Sequence, residues 1–330
     1  MGQSAVGAMK RRDYRRGGSL TELGLGGSQL GNLFQESTDA ESEAAVVAAW
    51  QAGIRYFDTA PHYGLGLSER RLGRALAGRP RDEFVISSKV GRLLVDSPET
   101  ADQQDDDGFV VPAATKRVFD FTRDGVLRSV ESSLERLGLD RLDIAYLHDP
   151  DDHWEEASTT GVDALVELRD QGVVGAIGAG MNQSAMLAEF VRRTDVDIMM
   201  VAGRYTLLDQ SAADDLLPMA AERGVSVVAA GVYNSGILST SSVPDVAHFD
   251  YRAAPAAILD RARQIQAVCD LHGVDLPSAA VQFPLRRPDI ASVVLGIRTA
   301  AHATSSVERA TAPIPEEFWT ALTDQGLVRA

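Results

Sequence analysis

The feature that most constrains the fold is a regular alternation of short apolar or β-branched runs with longer segments of helical periodicity. Eight predicted strands alternate with helices along the 330 residues, and no change of composition marks a linker. The strands are predicted at Leu20–Leu25, Ile54–Phe57, Phe84–Ser88, Leu142–Leu147, Val173–Ile177, Ile198–Val201, Val225–Ala230 and Ala291–Leu295. This pattern predicts an α/β protein built as one (β/α)8 TIM barrel over residues 19–330.

A doubly wound open sheet is the main alternative for such an alternation. That fold usually carries a G-x-G-x-x-G turn after its first strand, where the dinucleotide binds. Gly24 and Gly26 supply the first two glycines, but Gly31 does not stand at the third position. The barrel is therefore the favoured architecture.

Two segments do not follow the alternation. Residues 1–18 contain five basic residues between positions 10 and 16 with no apolar run behind them, which predicts a flexible, solvated tail and not a signal peptide. The segment from Gly91 to Phe121 has prolines, the acidic run Asp105–Asp107 and no clear period. Because it follows the third strand, we expect a long loop over the carboxyl mouth of the barrel, with a disordered insertion as the alternative.

Composition limits the partners of the chain. With 32 basic and 47 acidic residues the net charge is −15, which argues against nucleic acid or an anionic membrane. A single cysteine, Cys269, excludes a disulfide framework and fits a reducing cytoplasm. No apolar run approaches membrane-spanning length. We therefore expect a soluble cytoplasmic protein with a small-molecule substrate, while the oligomeric state stays open.

Three successive predicted strands end at an ionisable side chain. Asp58, Lys89 and His148 follow the second, third and fourth strands. Neighbouring strands of a parallel barrel present their carboxyl ends at one mouth, so these side chains should meet there with Tyr63 from the loop after Asp58. Each residue alone has an ordinary structural explanation, as a turn or cap residue, a solvated strand end, a buried histidine or a loop aromatic. Because all four side chains are expected at one mouth, a catalytic role is favoured.

The remaining histidines show no metal-ligand spacing such as H-E-x-x-H, so no metal site is predicted. A structural role is expected for all of them: His62, His153, His248, His272 and His302.

Several ordered motifs resemble those of the aldo-keto reductases. They are F-D-T-A-P-H-Y-G at residues 57–64, S-E-R-R-L-G-R-A-L at 68–76, S-K at 88–89 and S-x-x-R-L-G-x-D-x-x-D at 133–143. The resemblance covers most of the chain. It implies a barrel that binds a nicotinamide cofactor without a Rossmann fold, and a catalytic tetrad of Asp58, Tyr63, Lys89 and His148.

The resemblance also implies a role for each member of the tetrad. Tyr63 would be the general acid or base, but a free phenol titrates near ~10 and holds its proton too tightly at neutral pH. Lys89, held by Asp58, is expected to lower the pKa of this phenol. His148 would donate a hydrogen bond to the substrate oxygen and orient it for hydride transfer.

Three further motifs resemble the branch of bacterial aldose 1-dehydrogenases, which includes fucose and galactose dehydrogenases, and of pyridoxal 4-dehydrogenase. They are H-D-P-D at 148–151, A-G-R-Y-T-L-L-D-Q at 202–210 and G-V-Y-N-S-G-I-L at 231–238. The implied reaction, part of sugar metabolism, is oxidation of the C1 hydroxyl of an aldose such as L-fucose, D-arabinose or galactose to a lactone. Two alternatives stay open: an enzyme for pyridoxal or another aldehyde or ketone, and a nicotinamide-binding sensor with slow turnover.

The same resemblance implies a set of cofactor contacts. They are Gly26, Asp58, Asn182, Tyr233, Asn234, Gly236, Gly296, Arg298 and Ser306. Asn182 matches the asparagine that holds the nicotinamide carboxamide, although Met181 replaces the serine usual before it. The family's glutamine on the next strand falls at Ala202 and its stacking tyrosine falls near Ala230, so Tyr233 would have to replace the latter.

The residues expected at the adenosine end of the cofactor predict whether NAD or NADP is used. NADP-preferring relatives clamp the 2′-phosphate with a lysine and, six residues later, an arginine, and these positions fall at Gly296 and His302, with Ser306 in place of an asparagine. Losing two cations removes charge-assisted contacts of roughly 1.5–3 kcal/mol each. NAD is therefore expected over NADP, with Arg298 as the one residue that could restore NADP binding.

Overall fold

The computed structural model describes residues 9–250 and 252–329 of the chain. Eight parallel strands form a closed barrel in which every strand pairs with its neighbours in chain order, and the eighth closes the ring on the first. The barrel strands are β1 (Leu23–Gly26), β2 (Tyr56–Asp58), β3 (Val85–Val90), β4 (Leu142–His148), β5 (Val174–Met181), β6 (Ile198–Ala202), β7 (Ser226–Ala230) and β8 (Ile290–Gly296). The predicted (β/α)8 architecture is confirmed.

Helices surround the barrel and carry the end signals expected from their sequences. They are α1 (Asp39–Gln51), α2 (Leu67–Leu76), α3 (Arg123–Leu137), α4 (Val162–Asp170), α5 (Ser184–Arg193), α6 (Leu216–Arg223), α7 (Ala256–His272), α8 (Leu276–Leu285), α9 (Ala300–Thr311) and α10 (Glu316–Asp324). Thr38 and Glu41 form a capping box at the start of α1, and Gly138 ends α3 in the left-handed conformation. None of the helices in the described ranges has both the length and the apolar character needed to cross a membrane.

Two apolar layers hold the barrel together. The larger lies between the strands and the surrounding helices. The smaller fills the barrel interior with inward-facing strand side chains, among them Tyr56, Ile144, Tyr146 and Val228. Because side chains alternate between the two faces of a strand, residues two positions apart enter the same layer. This alternation decides which side chains reach the mouth.

A β-hairpin covers the amino end of the barrel. Residues Arg11–Tyr14 pair antiparallel with Gly18–Thr21, so the prediction of a flexible tail is wrong for positions 11–18. Arg12 donates to the carbonyl oxygens of Leu285, Arg287 and Ile290 at 2.6, 2.7 and 2.9 Å. The basic side chains thus bind barrel backbone distant in sequence, which a local pattern cannot indicate. Residues 1–8 of the predicted tail lie outside the described residues.

A second hairpin covers part of the carboxyl mouth. Strands Arg92–Asp96 and Thr115–Phe119 pair antiparallel, and residues 97–114 connect them; we call residues 92–119 the mouth hairpin. It leaves β3 at Gly91, whose φ is 97° and where a Cβ would lie 2.0 Å from the ring of Phe121. Only glycine fits there. The predicted segment over the mouth is confirmed, although it is a paired hairpin and not an irregular loop.

The far end of the mouth hairpin is held by the segment that follows β1. The amide of Phe34 donates to the carbonyl of Gly108 at 2.8 Å, and the amide of Val110 donates to the carbonyl of Asn32 at 3.0 Å. The insertion after β3 therefore crosses to the segment after β1 and forms one wall of the opening.

Candidate active site

Strand alternation brings three ionisable side chains to the inner face of the mouth. Asp58 lies two positions after the inward-facing Tyr56, and Lys89 lies four positions after the inward-facing Val85. His148 lies two positions after the inward-facing Tyr146. In all three strands the ionisable residue lies on the inner face near the carboxyl end, so the alternation that fills the barrel also places the site.

Lys89 and Asp58 form a buried ion pair. Lys89 Nζ donates to Asp58 Oδ2 at 2.7 Å and to the carbonyl of Thr59 at 3.0 Å. The second carboxylate oxygen, Asp58 Oδ1, accepts from Ser87 at 2.7 Å. Tyr56 lies 3.0 Å from the Ser87 hydroxyl, which extends the hydrogen-bonded group into the barrel. Both oxygens of Asp58 are paired, and its orientation is fixed.

Tyr63 joins this pair from the loop between β2 and α2. Lys89 Nζ lies 4.6 Å from the centroid of the Tyr63 ring, and the ring of His148 lies 5.9 Å from the same centroid. The loop reaches this position because Gly64, with φ of 62°, packs against the backbone at Gly31, where a Cβ would lie 2.2 Å from a carbonyl oxygen. The four residues predicted to meet at the mouth do so.

The environment sets the protonation of these groups. Burial lowers the pKa of His148 well below its usual value, and Arg92 and Lys89 lower it further, so the imidazole is neutral. Burial alone would lower the pKa of Lys89, but Asp58 raises it above its usual value. Burial raises the pKa of the Tyr63 phenol and Lys89 offsets part of that rise. Lys89 therefore lowers the pKa of Tyr63 as expected, but burial outweighs it, and the expected net lowering of this pKa is wrong.

His62 also belongs to this site, although its sequence context predicts only a structural role. Its ring lies 5.4 Å from that of His148 and 5.9 Å from that of Tyr63. Burial, followed by Arg92 and Arg117, lowers the pKa of His62 to about 2. The signal available in the sequence was its place directly before Tyr63.

The wall of the site that holds His62 comes from the mouth hairpin. Arg92 Nη1 lies 3.3 Å from His62 Nδ1, and Arg117 Nη2 donates to the carbonyl of His62 at 2.9 Å. Phe109 packs edge-on against His62 with ring centroids 5.2 Å apart. The wall has no recognisable motif in the sequence, because its side chains meet only after the hairpin folds over the barrel.

Arg92 also binds the residue that follows His148. Arg92 Nη2 donates to Asp149 Oδ2 at 2.6 Å, and the same oxygen lies 3.6 Å from His148 Nε2. Asp149 has a φ of 43°, an unusual conformation for a residue other than glycine. Burial raises the pKa of Asp149 and Arg92 offsets part of the rise.

Comparison with known proteins agrees with this geometry. The family model described as aldo/keto reductase family matches residues 22–325 of the chain. The chain belongs to the aldo/keto reductase family. Members of this family use nicotinamide cofactors, and the protein is an oxidoreductase acting between CH–OH and carbonyl groups.

Two curated relatives and one solved structure are similar over almost the whole chain. D-threo-aldose 1-dehydrogenase of a Pseudomonas species is 46% identical over 94% of this chain and 95% of its own. Pyridoxal 4-dehydrogenase of Microbacterium luteolum is 38% identical over 97% of this chain and 98% of its own. A holo-form aldo-keto reductase from Bacillus halodurans has a TM-score of 0.76 at 25% identity, covering 98% of this chain and 97% of that one.

The residues expected at the nicotinamide end of the cofactor lie around the mouth after β5 and β7. Asn182 follows β5 and donates to the carbonyl of Ala202 at 3.2 Å. Asn234 and Gly236 lie in the segment after β7, where residues 234, 235 and 236 all have positive φ. Tyr233 is half-buried, and its hydroxyl lies 3.4 Å from Arg309 Nη1 on α9. That contact ties Tyr233 to an outer helix, and its stacking on a nicotinamide stays a prediction.

The residues expected at the adenosine end lie around the carboxyl end of β8. Gly26 pairs with Gly296 across β1 and β8, and a Cβ at Gly26 would lie 3.0 Å from Val294, so barrel packing accounts for this glycine. Ser306 is buried on α9 and His302 is exposed.

Arg298 contacts the segment after β1 through three hydrogen bonds. It donates to the carbonyl oxygens of Gln35 and Leu33, each at 2.6 Å, and contacts the side chain of Gln29.

The mouth fits a polar cofactor. The buried polar atoms of the described residues that have no hydrogen-bond partner include His148 Nδ1 and Asn234 Oδ1 at the mouth. Buried polar atoms are normally paired, so a ligand carrying polar groups would complete both.

Proposed function

We propose that this protein is an NAD-dependent aldose 1-dehydrogenase, which oxidises the C1 hydroxyl of a cyclic aldose to a lactone. The observation that carries this proposal is the contact of Lys89 with both Asp58 and the Tyr63 ring, beside a neutral His148. The 46% identity to D-threo-aldose 1-dehydrogenase supports an aldose as the substrate.

Tyr63 is the proposed general base. In the oxidative direction the C1 hydroxyl passes its proton to the Tyr63 oxygen, and C1 becomes the lactone carbonyl carbon. The Lys89 charge, 4.6 Å from the ring, favours the phenolate that accepts this proton. Asp58 and Ser87 hold Lys89 in place and keep its charge. In the reductive direction the Tyr63 phenol gives the proton back to the carbonyl oxygen.

His148 is the proposed donor to the reacting oxygen. Because its imidazole is neutral, one ring nitrogen carries a proton and can donate without adding a charge to the pocket. His62 and Phe109 pack around the site and limit the access of water. The bound nicotinamide supplies the acceptor for the hydride that leaves C1.

The engagement of Arg298 supports NAD over NADP. Its guanidinium already donates to the Leu33 and Gln35 carbonyls, so fewer of its N–H groups remain to bind a 2′-phosphate. The positions of the phosphate clamp hold Gly296 and His302. Asn182, Asn234 and Gly236 are proposed to hold the nicotinamide end. Ser306, in the middle of α9, is proposed for the adenosine end.

Pyridoxal oxidation is the second candidate. The 38% identity to pyridoxal 4-dehydrogenase over almost the whole chain favours it. The same four residues would serve that reaction, since it also moves a proton and a hydride between an oxygen-bearing carbon and the cofactor.

The test is a screen of NAD and NADP reduction with L-fucose, D-arabinose, L- and D-galactose, pyridoxal and simple alcohols. Turnover of one or more aldoses with a higher kcat/KM than pyridoxal, and a higher kcat/KM with NAD than with NADP, is expected. A clear preference for pyridoxal selects the second candidate. Slow turnover of every compound by protein that binds the cofactor tightly would reject both enzymes in favour of a sensor.

A further inference from the structure

Asp149 lies at the mouth of the barrel, next to His148. Its Oδ2 is 3.6 Å from His148 Nε2, too far for a hydrogen bond between the two. Each atom can therefore contact a separate oxygen of one ligand. Oxygens on adjacent carbons are close enough together to contact both atoms.

Asp149 is held in this position by two hydrogen bonds, and its backbone is strained. Its amide donates to the carbonyl of Gly180 at 3.0 Å, which fixes the backbone at the end of β4. Arg92 donates to Oδ2 at 2.6 Å, and the Arg92 side chain is only 14% exposed. The positive φ of 43° stores strain, and such strain collects at functional sites.

The carboxylate has unused capacity to accept hydrogen bonds. An ionised carboxylate offers about four lone-pair sites. Among the described residues, only Arg92 donates to the Asp149 side chain, and it uses one of them. The side chain is 34% exposed, so a ligand at the mouth can reach it. A hydroxyl group is the natural partner, since it donates to a carboxylate oxygen and can accept from an arginine.

We propose that Asp149, positioned by Arg92, binds the hydroxyl on the carbon next to the reacting carbon and so selects substrates with a 2-hydroxyl. This inference rests on the proposed function for its substrate class, and it adds a specificity residue to the four at the reacting atoms. His62 takes part by accepting from Arg92 through Nδ1, which restricts the guanidinium to the plane that faces Asp149.

The test compares each sugar with its 2-deoxy form. Wild-type protein should oxidise D-galactose and L-fucose with kcat/KM about 10- to 100-fold above 2-deoxy-D-galactose and 2-deoxy-L-fucose, as expected for one hydrogen bond to a charged group. Asp149→Asn should reduce this ratio to within about threefold of one. Asp151→Asn removes a charge two residues along, where the carboxylate accepts from Gln183, and should keep the wild-type ratio.

Arg92 is tested as a positioning residue. Arg92→Met should lower the ratio as Asp149→Asn does, mainly through KM for the 2-hydroxy sugar, whereas Arg92→Lys should recover part of it. Equal kcat/KM for a sugar and its 2-deoxy form in the wild type, or an unchanged ratio in Asp149→Asn, would overturn the inference.

Reduction of aldehydes tests the role of Asp149 separately from the proposed function. With NADH, DL-glyceraldehyde should be reduced with higher kcat/KM than propanal, and Asp149→Asn should reduce that difference. If no aldose is oxidised, the proposed function fails, and the glyceraldehyde and propanal pair still decides the role of Asp149.

Discussion

Lys89 Nζ lies 2.7 Å from Asp58 Oδ2, and each residue is only 2% exposed. A buried pair of this kind gains little stability over an apolar pair, but losing one partner leaves an uncompensated charge. Ser87 adds a second hydrogen bond to the same carboxylate. The pair therefore holds Lys89 in a fixed position beside the Tyr63 ring. Its loss should lower both the stability of the protein and its turnover rate.

Lys89→Met should destabilise the protein by about 3–5 kcal/mol, because it leaves Asp58 buried without a cation. The free energy of unfolding in denaturant measures this. Lys116→Met removes a lysine from the exposed pair with Glu99 and should cost under about 1 kcal/mol. Equal losses of unfolding free energy in Lys89→Met and Lys116→Met would show that burial of the ion pair does not determine the cost of losing its lysine.

Tyr63→Phe should lower kcat about 10²- to 10⁴-fold, since it removes the group that moves the proton and keeps the ring. NADH affinity, followed by fluorescence titration, should change little. Tyr14→Phe in the hairpin under the barrel is the matched control and should turn over at the wild-type rate. Wild-type kcat in Tyr63→Phe would reject the general-base role.

The pH dependence should follow the raised pKa of Tyr63. Oxidation needs the phenolate, so kcat should rise with pH across the alkaline range; reduction needs the phenol, so kcat should hold through neutral pH and fall above the pKa. Burial, followed by Arg92 and Lys89, lowers the pKa of His148 and keeps the imidazole neutral, so no loss of activity should arise from its protonation near pH 6.5. Profiles of kcat in both directions check this; an oxidation rate that decreases with rising pH in folded protein would be inconsistent with it.

The folded protein should become less stable in acid because His62 is buried in its neutral form. Its pKa is about 2 in the folded protein against roughly 6.5 unfolded, so the unfolded chain binds more protons below pH 6.5. The contribution of neutral His62 to the free energy of unfolding is complete above about pH 6.5. It is lost as pH falls, by up to about 1.4 kcal/mol per pH unit.

His62→Gln tests this dependence. Unfolding free energies between about pH 4 and 6.5 should fall less steeply in His62→Gln than in His302→Gln, which changes an exposed histidine of α9. Parallel slopes in the two variants would show that His62 is not responsible.

Arg298→Ala should destabilise the segment after β1 without creating a preference for NADP. The loss of hydrogen bonds to the Leu33 and Gln35 carbonyls should lower the free energy of unfolding by roughly 1–3 kcal/mol. Arg329→Ala, at the exposed pair with Asp214, should leave the free energy of unfolding nearly unchanged.

Steady-state kinetics with both cofactors completes the comparison. The ratio of kcat/KM for NAD to that for NADP should stay above one in wild type and in Arg298→Ala. A large loss of NADP activity confined to Arg298→Ala would instead show that Arg298 binds the 2′-phosphate.

Sequence patterns were sufficient for the barrel and the four central residues. Asp58 and His148 end their strands and Lys89 is the last residue but one of β3, and the alternation of side chains along a strand leaves one inner position for each. Tyr63 is tied to Asp58 by a short loop, so its position follows from that of the strand.

The remaining features depend on contacts between distant parts of the chain. Arg12 binds carbonyls near residue 290, and Arg298 binds carbonyls near residue 34. Neither partner has a side-chain signature, since a backbone carbonyl is the same at every residue. The pKa of Tyr63 likewise depends on how much of the ring is buried, which a motif does not specify.

The mouth hairpin has a consequence for engineering. It leaves the barrel at Gly91 and returns at Phe121, and it carries Arg92, Arg117 and Phe109 but none of the proton-transfer residues. Exchanging residues 92–119 between homologous barrels should therefore alter substrate preference, because Arg92 contacts Asp149, while the proton-transfer residues stay in place.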